Sequence, residues 1–535
     1  MTDRNKVISV ITNKKHLIIA TALLTAIGLG IVGIIIYQNA QEITSLRALQ
    51  QLTDTQYNHI RLEIFKLCFV MFLIATVGAT CIMLCLKIKL EYIYLVAALC
   101  LGTTYMVAMT PFSIPDERHH YHSSYHLSGY ILRSDNPEMI ELRHFDYSRT
   151  AGHHNTPEAY LRLMDEGISI DRGETALTNL DIQDMYSSDY PLFYLPQALG
   201  ISIARLIGLS FFGVFYFGRF FNLLFYTICV TFSIKRLKAF RLPIFLIGLL
   251  PLSLHQAASF SNDAFINGIS MLFIAYAISC IYEKDKFHWH DYAILLVTGV
   301  LLAPAKGVYL PIVFLIFIVA WKWKEAIKSK AWIMAASIAA AAIAAVLLLV
   351  GTRTAAGLAG DQQLNWEGGY NYTLAFVLEN PLATIMIFLR TLRYDRVYLF
   401  ESTFGRYLSG QTLLLPVFYA YVTLALLIAG VLYGKRDEWQ PKIMHRAFYF
   451  AISAMVVVLC MAAMFFGWTS DFRNVVVGVQ GRYFTPLLPL ALLMLRNNKL
   501  LVQYDSYRNV VIVASISMQC AVIMYVINYT IGARG

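Results

Sequence analysis

Apolar runs long enough to cross a lipid bilayer recur along almost the whole chain. They lie at residues 17–37, 63–86, 90–110, 212–234, 242–258, 263–282, 291–304, 307–321, 332–351, 411–433, 447–467, 482–496 and 509–531. Because bilayer lipid offers the backbone no hydrogen-bond partner, each run is expected to form an α-helix. Hydrophobic residues make up 58% of the 535 residues and charged residues only 14%, which excludes an ordinary soluble protein. The sequence therefore predicts an all-α polytopic membrane protein with about thirteen transmembrane helices.

The basic residues predict the orientation of these helices. Clusters of lysine and arginine occur near the N-terminus and at 87–89, 235–241, 284–286, 322–330, 435–446 and 496–499. The predicted spans place every cluster on one side, which the positive-inside rule assigns to the cytoplasm. Loops 111–211 and 352–410 are then extracytoplasmic. Within them, segments 190–210 and 379–398 are predicted to lie on the outer leaflet as amphipathic helices.

The N-terminal region is predicted to be accessory to the rest of the chain. The first apolar run follows the basic segment NKKH, lacks a small-residue cleavage site and is too long for a signal peptide. Residues 1–88 are therefore interpreted as a cytoplasmic tail and two accessory transmembrane helices, and 89–535 as the main membrane domain. All eight cysteines lie in apolar runs, so neither disulfides nor a cysteine metal site is expected.

One polar stretch in the first outer loop, PFSIPDERHHYHSSYHLSG at 111–129, concentrates titratable groups. Its SIPD segment predicts a helix start with Ser113 as N-cap and Asp116 in the first turn, so that Asp116 and His120 share one face. Three interpretations are open: Asp116 caps its helix, the acids and histidines bind a metal, or Asp116 or Glu117 is a general base. Capping explains neither Glu117 nor the histidines, and an HExxH zinc motif is lacking.

Basic residues at the predicted outer boundary oppose the positive-inside bias. They are Lys306, Arg393, Arg396, Arg406 and Arg482. Such residues are candidates for holding a lipid phosphate, because a guanidinium group binds phosphate bidentately. For each one singly, snorkelling or contact with a helix C-terminus explains its position equally well. Taken together, they favour a phosphate.

Other polar and aromatic residues near the same boundary are also candidates. Asp263, after Asn262 at an outer turn, either caps the following helix or orients a substrate or cation. Arg219 lies inside an apolar run, so it is expected to face a cavity or a carboxylate. Tyr190 and Tyr194 belong to an interfacial aromatic belt or, alternatively, contact a sugar ring or an isoprenoid chain.

Four segments resemble the bacterial multi-pass membrane proteins of domain-of-unknown-function family 2142. They are PDERHHYHSSYHLSG, YPLFYLPQALGISIARLIGLSFFGVFYFGRFFNLL, LPLSLHQAASFSNDA and VQGRYFTPLLPLALL. That family in turn resembles the GT-C glycosyltransferases, which have many spans, an outer acidic motif and a polyprenyl-phosphate sugar donor. The resemblance places the motif residues on Asp116, Glu117, His120, Asn262, Asp263 and Arg482, with Tyr483 next to the last. Where relatives often have a basic residue after the histidine, this chain has His122 and Ser123.

The resemblance implies a GT-C-like catalytic domain over 89–535 in a bacterial cytoplasmic membrane, with the N-terminus cytoplasmic and the active site outside. The expected reaction is inverting transfer of a monosaccharide from polyprenyl phosphate, such as undecaprenyl phosphate, to a cell-envelope glycan or teichoic-type acceptor. A transporter or flippase of a lipid-linked glycan and a polysaccharide polymerase are the alternatives.

The expected cofactors and partners follow from this reaction. No Gly-rich nucleotide loop is found, and no nucleic acid is expected as a partner. A divalent cation, Mg²⁺ or Mn²⁺, is left open, with Asp116, His120 and Asp263 as its ligands. The expected partners are the lipid-linked donor, the glycan acceptor, membrane lipids and, through the N-terminal helix pair, the enzyme that makes the donor.

Overall fold

The computed structural model describes residues 2–48, 53–114, 116–133, 140–143, 156–170, 177–180, 191–304, 306–347, 367–408 and 413–532. Its α-helices are α1 (Thr2–Ala48), α2 (Asp54–Cys85), α3 (Leu90–Ala108), α4 (Glu117–Ile131), α5 (Pro157–Glu166), α6 (Leu195–Ile207), α7 (Phe211–Arg236), α8 (Arg241–Gly248), α9 (Pro251–Ala257), α10 (Asp263–Tyr282), α11 (Trp289–Leu302), α12 (Leu310–Val313), α13 (Leu315–Ile327), α14 (Ser329–Val346), α15 (Leu374–Glu379), α16 (Pro381–Tyr394), α17 (Arg396–Thr403), α18 (Phe418–Val431), α19 (Ile443–Trp468), α20 (Leu488–Leu495) and α21 (Asp505–Gly532). Short 3-10 helices occur at Pro191–Tyr194, Gly481–Leu487 and Asn498–Leu500.

Strands contribute only two small antiparallel ribbons to the described structure. In one, β1 (Ile140–Arg143) pairs with β2 (Leu177–Leu180), with Ile140 opposite Leu180. In the other, β3 (Tyr407–Leu408) pairs with β4 (Leu413–Leu414). Neither ribbon contributes to a sheet-based core, so the architecture is that of a helical membrane protein, as the apolar runs predict.

Eight of the described helices are long and apolar enough to cross a membrane. They are Lys15–Arg47, Asp54–Cys85, Leu90–Ala108, Phe211–Arg236, Asp263–Tyr282, Ser329–Val346, Ile443–Trp468 and Asp505–Ile531. The predicted number of about thirteen is not confirmed, because the five other apolar runs form shorter or interrupted helices. Proline interrupts three of them: α9 starts at Pro251, α12 has Pro311 near its start, and Pro486 lies in a 3-10 helix. Proline lacks the N–H that a continuous helix requires.

The core is centred on α10, and the N-terminal helix lies at the periphery. In α10, 89% of the apolar window is buried within the protein, against 6% in α1. Helix α1 packs mainly on α2. A Cβ atom at Gly78 of α2 would lie 2.3 Å from Thr25 Oγ1 of α1, so glycine permits this close helix contact.

The two segments predicted to be amphipathic both form helices with an exposed apolar stripe. Helix α6 exposes Leu199, Ile203 and Leu206, and α16 exposes Leu382, Ile385, Leu389 and Leu392. These spacings of three and four residues put each stripe on one helix face.

Candidate functional site

Helix α4 begins immediately after Asp116. The predicted start, with Ser113 as N-cap and Asp116 within the first turn, is wrong, because the helix begins at Glu117 and Asp116 is its N-cap. Left-handed backbone at Phe112 and Asp116 (φ 61° and 59°) turns the chain here, while the Ser113 hydroxyl donates to the Thr110 carbonyl at 2.7 Å. The Asp116 side chain makes no capping hydrogen bond and is 44% exposed. Capping therefore does not account for this carboxylate.

Glu117, the neighbouring acid, forms a fully buried ion pair with Arg219 of α7. Its oxygens accept hydrogen bonds from Arg219 Nε at 2.8 Å and Nη2 at 2.7 Å, and from the Phe260 backbone N–H at 3.2 Å. Arg219 also donates to three backbone carbonyls at the C-terminal end of α3. Because a buried charge requires such partners, Arg219 has the carboxylate that its apolar surroundings predict. The pair joins α3, α4 and α7 and thereby fixes the position of Asp116.

A second cluster of charges is centred on Asp263, the first residue of α10. Its buried carboxylate accepts hydrogen bonds from Lys306 Nζ at 2.7 Å and from Gln256 Nε2 at 2.8 Å. Arg482 lies between the side chains of Asp263 and Asp116, with Nη1 at 3.6 Å from Asp263 and Nη2 at 3.4 Å from Asp116. Asp263 therefore positions two cations opposite the exposed Asp116.

Asp116, Lys306 and Arg482 line one cavity of about 380 Å³ at one end of the long helices. Its wall includes Asp116, His120, Asn262, Met464, Trp468, Val477, Gly478, Gln480, Lys306, Arg482 and Tyr483. The volume is within the range of about 300–1,000 Å³ that small-molecule sites occupy. The fold thus brings together residues from α4, the start of α10, the loop before α12 and the QGRYF segment.

His120 is uncharged at neutral pH and adds no positive charge to the cavity. Burial lowers the pKa of His120 to about 4, against the opposing effect of the Asp116 and Asp263 carboxylates. Its Nδ1 lies 2.8 Å from the Tyr194 hydroxyl. Burial also acts to lower the pKa of Lys306, but the adjacent Asp263 carboxylate and Tyr483 together outweigh burial, and the pKa is raised. The cavity wall therefore combines the Asp116 side chain with two cations, Lys306 and Arg482, and the buried Asp263 contacts both cations.

Arg482 keeps unused hydrogen-bonding capacity at the cavity. Its 3.4 and 3.6 Å contacts are longer than the about 2.7–2.9 Å of charge-assisted hydrogen bonds. Its buried Nε has no acceptor among the described residues. Lys306 is 32% exposed and has a φ of 142°, a strained value of the kind that concentrates at functional sites. Both cations are available to an incoming anion.

Gly481 determines where Arg482 lies. Its backbone N–H donates to Ser402 Oγ at 3.0 Å, and its carbonyl accepts from Thr403 Oγ1 at 3.3 Å. A Cβ atom at Gly481 would lie 2.1 Å from the Thr403 backbone nitrogen. Only glycine permits this approach to the end of α17. In QGRYF, Gly481 therefore allows close packing and Arg482 supplies the charge.

The other predicted site residues lie away from the cavity wall. Arg393 and Arg396 are exposed on α16 and α17. Arg406 is ion-paired with Glu401 and donates to the Leu415 carbonyl. Tyr194 contacts the site through His120, and Tyr190 lies outside the described residues.

Asp116, His120 and Asp263 do not fit a metal centre. Asp263 is surrounded by donors and cations, namely Gln256, Lys306 and Arg482. Among the described residues, the ligand atoms close enough to hold one ion belong to His288, His290 and Asp291. That group follows the far end of α10, and its aspartate is already ion-paired with a lysine.

The sequence interpretation did not predict three residues of the site, Gln256, Trp468 and Gln480. Gln256 holds Asp263 from seven positions earlier in the chain, and Trp468 and Gln480 line the cavity. Gln256 lies in the segment LPLSLHQAASFSNDA and Gln480 precedes GRYF, so polar residues within the matched motifs were the available signal.

The fold and the site define a multi-pass helical membrane protein with a charged cavity at one end of its helices. The chain belongs to the family described as "Predicted membrane protein (DUF2142)", which it matches over residues 99–491. This range contains every residue of the cavity wall and begins inside α3, so α1 and α2 precede it. No curated protein and no solved structure matches the chain.

Proposed function

We propose that this protein is a GT-C-type glycosyltransferase that moves a monosaccharide from a polyprenyl-phosphate donor to a cell-envelope glycan or teichoic-type acceptor at the extracytoplasmic face. One observation carries the proposal: an exposed carboxylate, Asp116, faces Lys306 and Arg482 within a single cavity. Sugar transfer from a lipid phosphate requires a base for the acceptor hydroxyl and a cationic site for the departing phosphate. The Asp116 carboxyl group and the two cations of the cavity support these two roles.

The donor phosphate is assigned to the two cations. Its oxygens accept hydrogen bonds from Lys306 Nζ and from Arg482, whose Nε has no described acceptor. Met464, Trp468 and Val477 form an apolar side of the cavity, along which the first isoprene units lie. The sugar enters between Asp116 and Arg482 and replaces their 3.4 Å contact.

The base is assigned to Asp116. Glu117 is fully buried and both of its oxygens accept hydrogen bonds from Arg219, so a proton transfer to it would break the anchor of α4. Asp116 has an exposed carboxylate with one long contact. Neutral His120, held by Tyr194, is a hydrogen-bond partner for sugar hydroxyl groups.

The reaction balances as a single displacement. Asp116 takes the proton of the acceptor hydroxyl while that oxygen forms a bond to the anomeric carbon. The bond from the anomeric carbon to the phosphate oxygen breaks, and its electron pair stays on the phosphate, which the two cations stabilise. Attack opposite the leaving group inverts the anomeric configuration, and polyprenyl phosphate is released.

The decisive assay uses the purified full-length chain with a panel of polyprenyl-phosphate monosaccharides and cell-envelope fractions. We expect free polyprenyl phosphate to appear together with a glycosylated acceptor that carries one added sugar. Movement of the intact donor across vesicles without release of polyprenyl phosphate would contradict the proposal and favour a flippase. A ladder of products of increasing length would favour a polymerase.

A further inference from the structure

A second and larger cavity lies at the opposite end of the helices from the candidate site. Its volume is about 720 Å³, and it is lined by the C-terminal end of α2 and the N-terminal ends of α3, α8 and α21. Helix α3 begins in this cavity at Leu90 and ends at Ala108, eight residues before Asp116. Its 19 residues span about 28 Å at about 1.5 Å each, close to the thickness of a bilayer's hydrocarbon core. The two cavities therefore lie at opposite membrane boundaries.

The second cavity is rich in positive charge. Its basic residues are Lys87, Lys89, Lys238, Arg241, Lys435 and Arg508. The two acids of its wall already have basic partners, since Glu438 is paired with Arg496 at 2.5 Å and Asp505 with Arg508 at 3.4 Å. Within the described parts of the chain, by contrast, no carboxylate lies within 4.0 Å of a side-chain nitrogen of Lys87, Lys89 or Lys435.

Exposed lysines at a membrane boundary are common and are usually solvated, so the charge alone identifies no ligand. The conformation of Lys87 adds a constraint, because it adopts a left-handed φ of 56° at the end of α2, where glycine is the usual residue. The feature that indicates a ligand is an apolar crevice next to the lysines.

An apolar crevice of about 590 Å³ continues from this cavity toward the middle of the membrane. The two spaces share Thr21 and Cys81. The crevice lies between α1 and the packed pair of α2 and α21, and its wall includes Leu24, Leu73, Val77, Ala521 and Met524. A cationic mouth that opens into an apolar crevice matches an anionic headgroup attached to hydrocarbon chains.

The crevice also lies where the protein packs least well against itself. Helix α1 is 6% buried over its apolar window, and α1 and α2 precede the matched family region, which begins at residue 99. A lipid in the crevice would supply contacts between α1 and α21, because dispersion contacts increase with each atom that fills such a gap.

We propose that this cavity and crevice bind one anionic two-chain glycerophospholipid from the leaflet opposite the candidate site. Its phosphate contacts Lys87, Lys89 and Lys435, and its acyl chains occupy the crevice between α1, α2 and α21. The bound lipid joins the N-terminal helix pair to the domain that contains the candidate site. This inference does not depend on the proposed transferase activity.

The test is native mass spectrometry of the delipidated full-length chain, titrated with phosphatidylglycerol, with phosphatidylcholine of the same chains, or with glycerol 3-phosphate. We expect one phosphatidylglycerol to bind about tenfold more tightly to the native protein than to the K87Q/K89Q/K435Q variant. Equal affinity for phosphatidylcholine, or equally tight binding of glycerol 3-phosphate, would overturn the proposal.

A charge-matched control separates the cavity from the general charge of that face. The K286Q/K322Q/K330Q variant removes the same number of exposed lysines from the same end of the bundle but outside the cavity wall. We expect it to bind phosphatidylglycerol within about twofold of the native protein, since the effect of an exposed charge is screened beyond about 10 Å. An equal loss in both triple variants would show only non-specific attraction and would refute the site.

A second variant tests the crevice independently of charge. The Ala521→Phe substitution places a ring in the crevice from the exposed side of α21 and leaves every lysine in place. We expect phosphatidylglycerol to bind at least about fivefold more weakly, because the acyl chains lose their space. Unchanged affinity in a folded Ala521→Phe protein would show that the chains do not lie there.

Discussion

The charged residues at the two ends of the helical bundle differ in whether they have partners of opposite charge. At the candidate site, Asp263 and Arg482 are mostly buried, Lys306 is partly exposed, and all three lie within 4.0 Å of opposite charges. At the other end, Lys87 and Lys89 are exposed and have no ion pair within the described structure. The difference follows from desolvation, because a charge that leaves water requires a partner while a solvated one does not. The fold therefore fixes the positions of the charges that are buried and paired. Substitutions of these residues are expected to change activity or stability more than substitutions of the exposed lysines.

The largest effect is expected for Asp116, the exposed carboxylate of the otherwise paired site. Asp116→Asn preserves shape but removes the base, so transfer should fall by about 10²–10⁴-fold while donor binding persists. Release of polyprenyl phosphate measures the rate. The matched control is Asp165→Asn, which alters an acid on α5 that is 60% exposed. A fully active Asp116→Asn protein would place the base elsewhere.

The buried Glu117–Arg219 pair should show the next largest effect, on stability. Glu117→Gln leaves Arg219 with an uncompensated buried charge, so the free energy of unfolding should fall by about 3–5 kcal/mol. Thermal unfolding in detergent measures the change. Asp165→Asn, which breaks the more exposed pair with Arg61, should cost less than about 1 kcal/mol.

A double variant distinguishes a charge effect from a packing effect at the same pair. Glu117→Leu combined with Arg219→Leu removes both charges, and it should be more stable than either single variant. If the double variant loses as much unfolding free energy as the two single variants combined, the two residues do not stabilise the fold through their interaction, and the interpretation is contradicted.

Stability should fall in mild acid because two buried histidines of α4 are neutral. Burial lowers the pKa of His120 to about 4 and that of His122 to about 3, from the usual 6.5. The unfolded chain therefore binds more protons below pH 6.5, and stability decreases as the pH falls from about 6.5 toward 4. His122→Leu should reduce the loss of stability between pH 7 and pH 5 by about 2 kcal/mol, measured as the change in melting temperature between these two pH values. An unchanged pH dependence would show that His122 is solvated.

The smallest effect is expected from Arg482→Lys, which retains the charge but loses the guanidinium geometry. Affinity for the lipid-linked donor should fall by about tenfold, since a lysine cannot bind a phosphate bidentately. Equilibrium binding of the donor to the Asp116→Asn background measures the loss without turnover. Arg393→Lys, on an exposed helix away from the cavity wall, is the matched control. Equal affinities in the two variants would remove Arg482 from the phosphate site.

The motif positions were largely readable from the sequence. The apolar runs predict a helical membrane protein. The sequence also identified Asp116, His120, Asn262, Lys306 and Arg482, which line one cavity, and Asp263, which contacts two of them. The number of long helices was not readable, because hydropathy does not register the interruptions at Pro251 and Pro486. The helix start at Asp116 was missed because a left-handed aspartate resembles an ordinary first-turn acid in sequence.

By itself, the sequence determined that this chain is a membrane protein, and it identified the charged residues that are candidates for the site. Only the tertiary structure distinguished the two adjacent acids, Asp116 and Glu117. Both have a carboxyl group, but Glu117 is buried against Arg219 whereas Asp116 is exposed. Tertiary structure also excluded Arg406 from the cavity by pairing it with Glu401. The physical reason is that composition and periodicity report the energy of transfer into lipid, whereas the partner of a buried charge depends on contacts that the fold creates, as between Glu117 and Arg219, 102 positions apart.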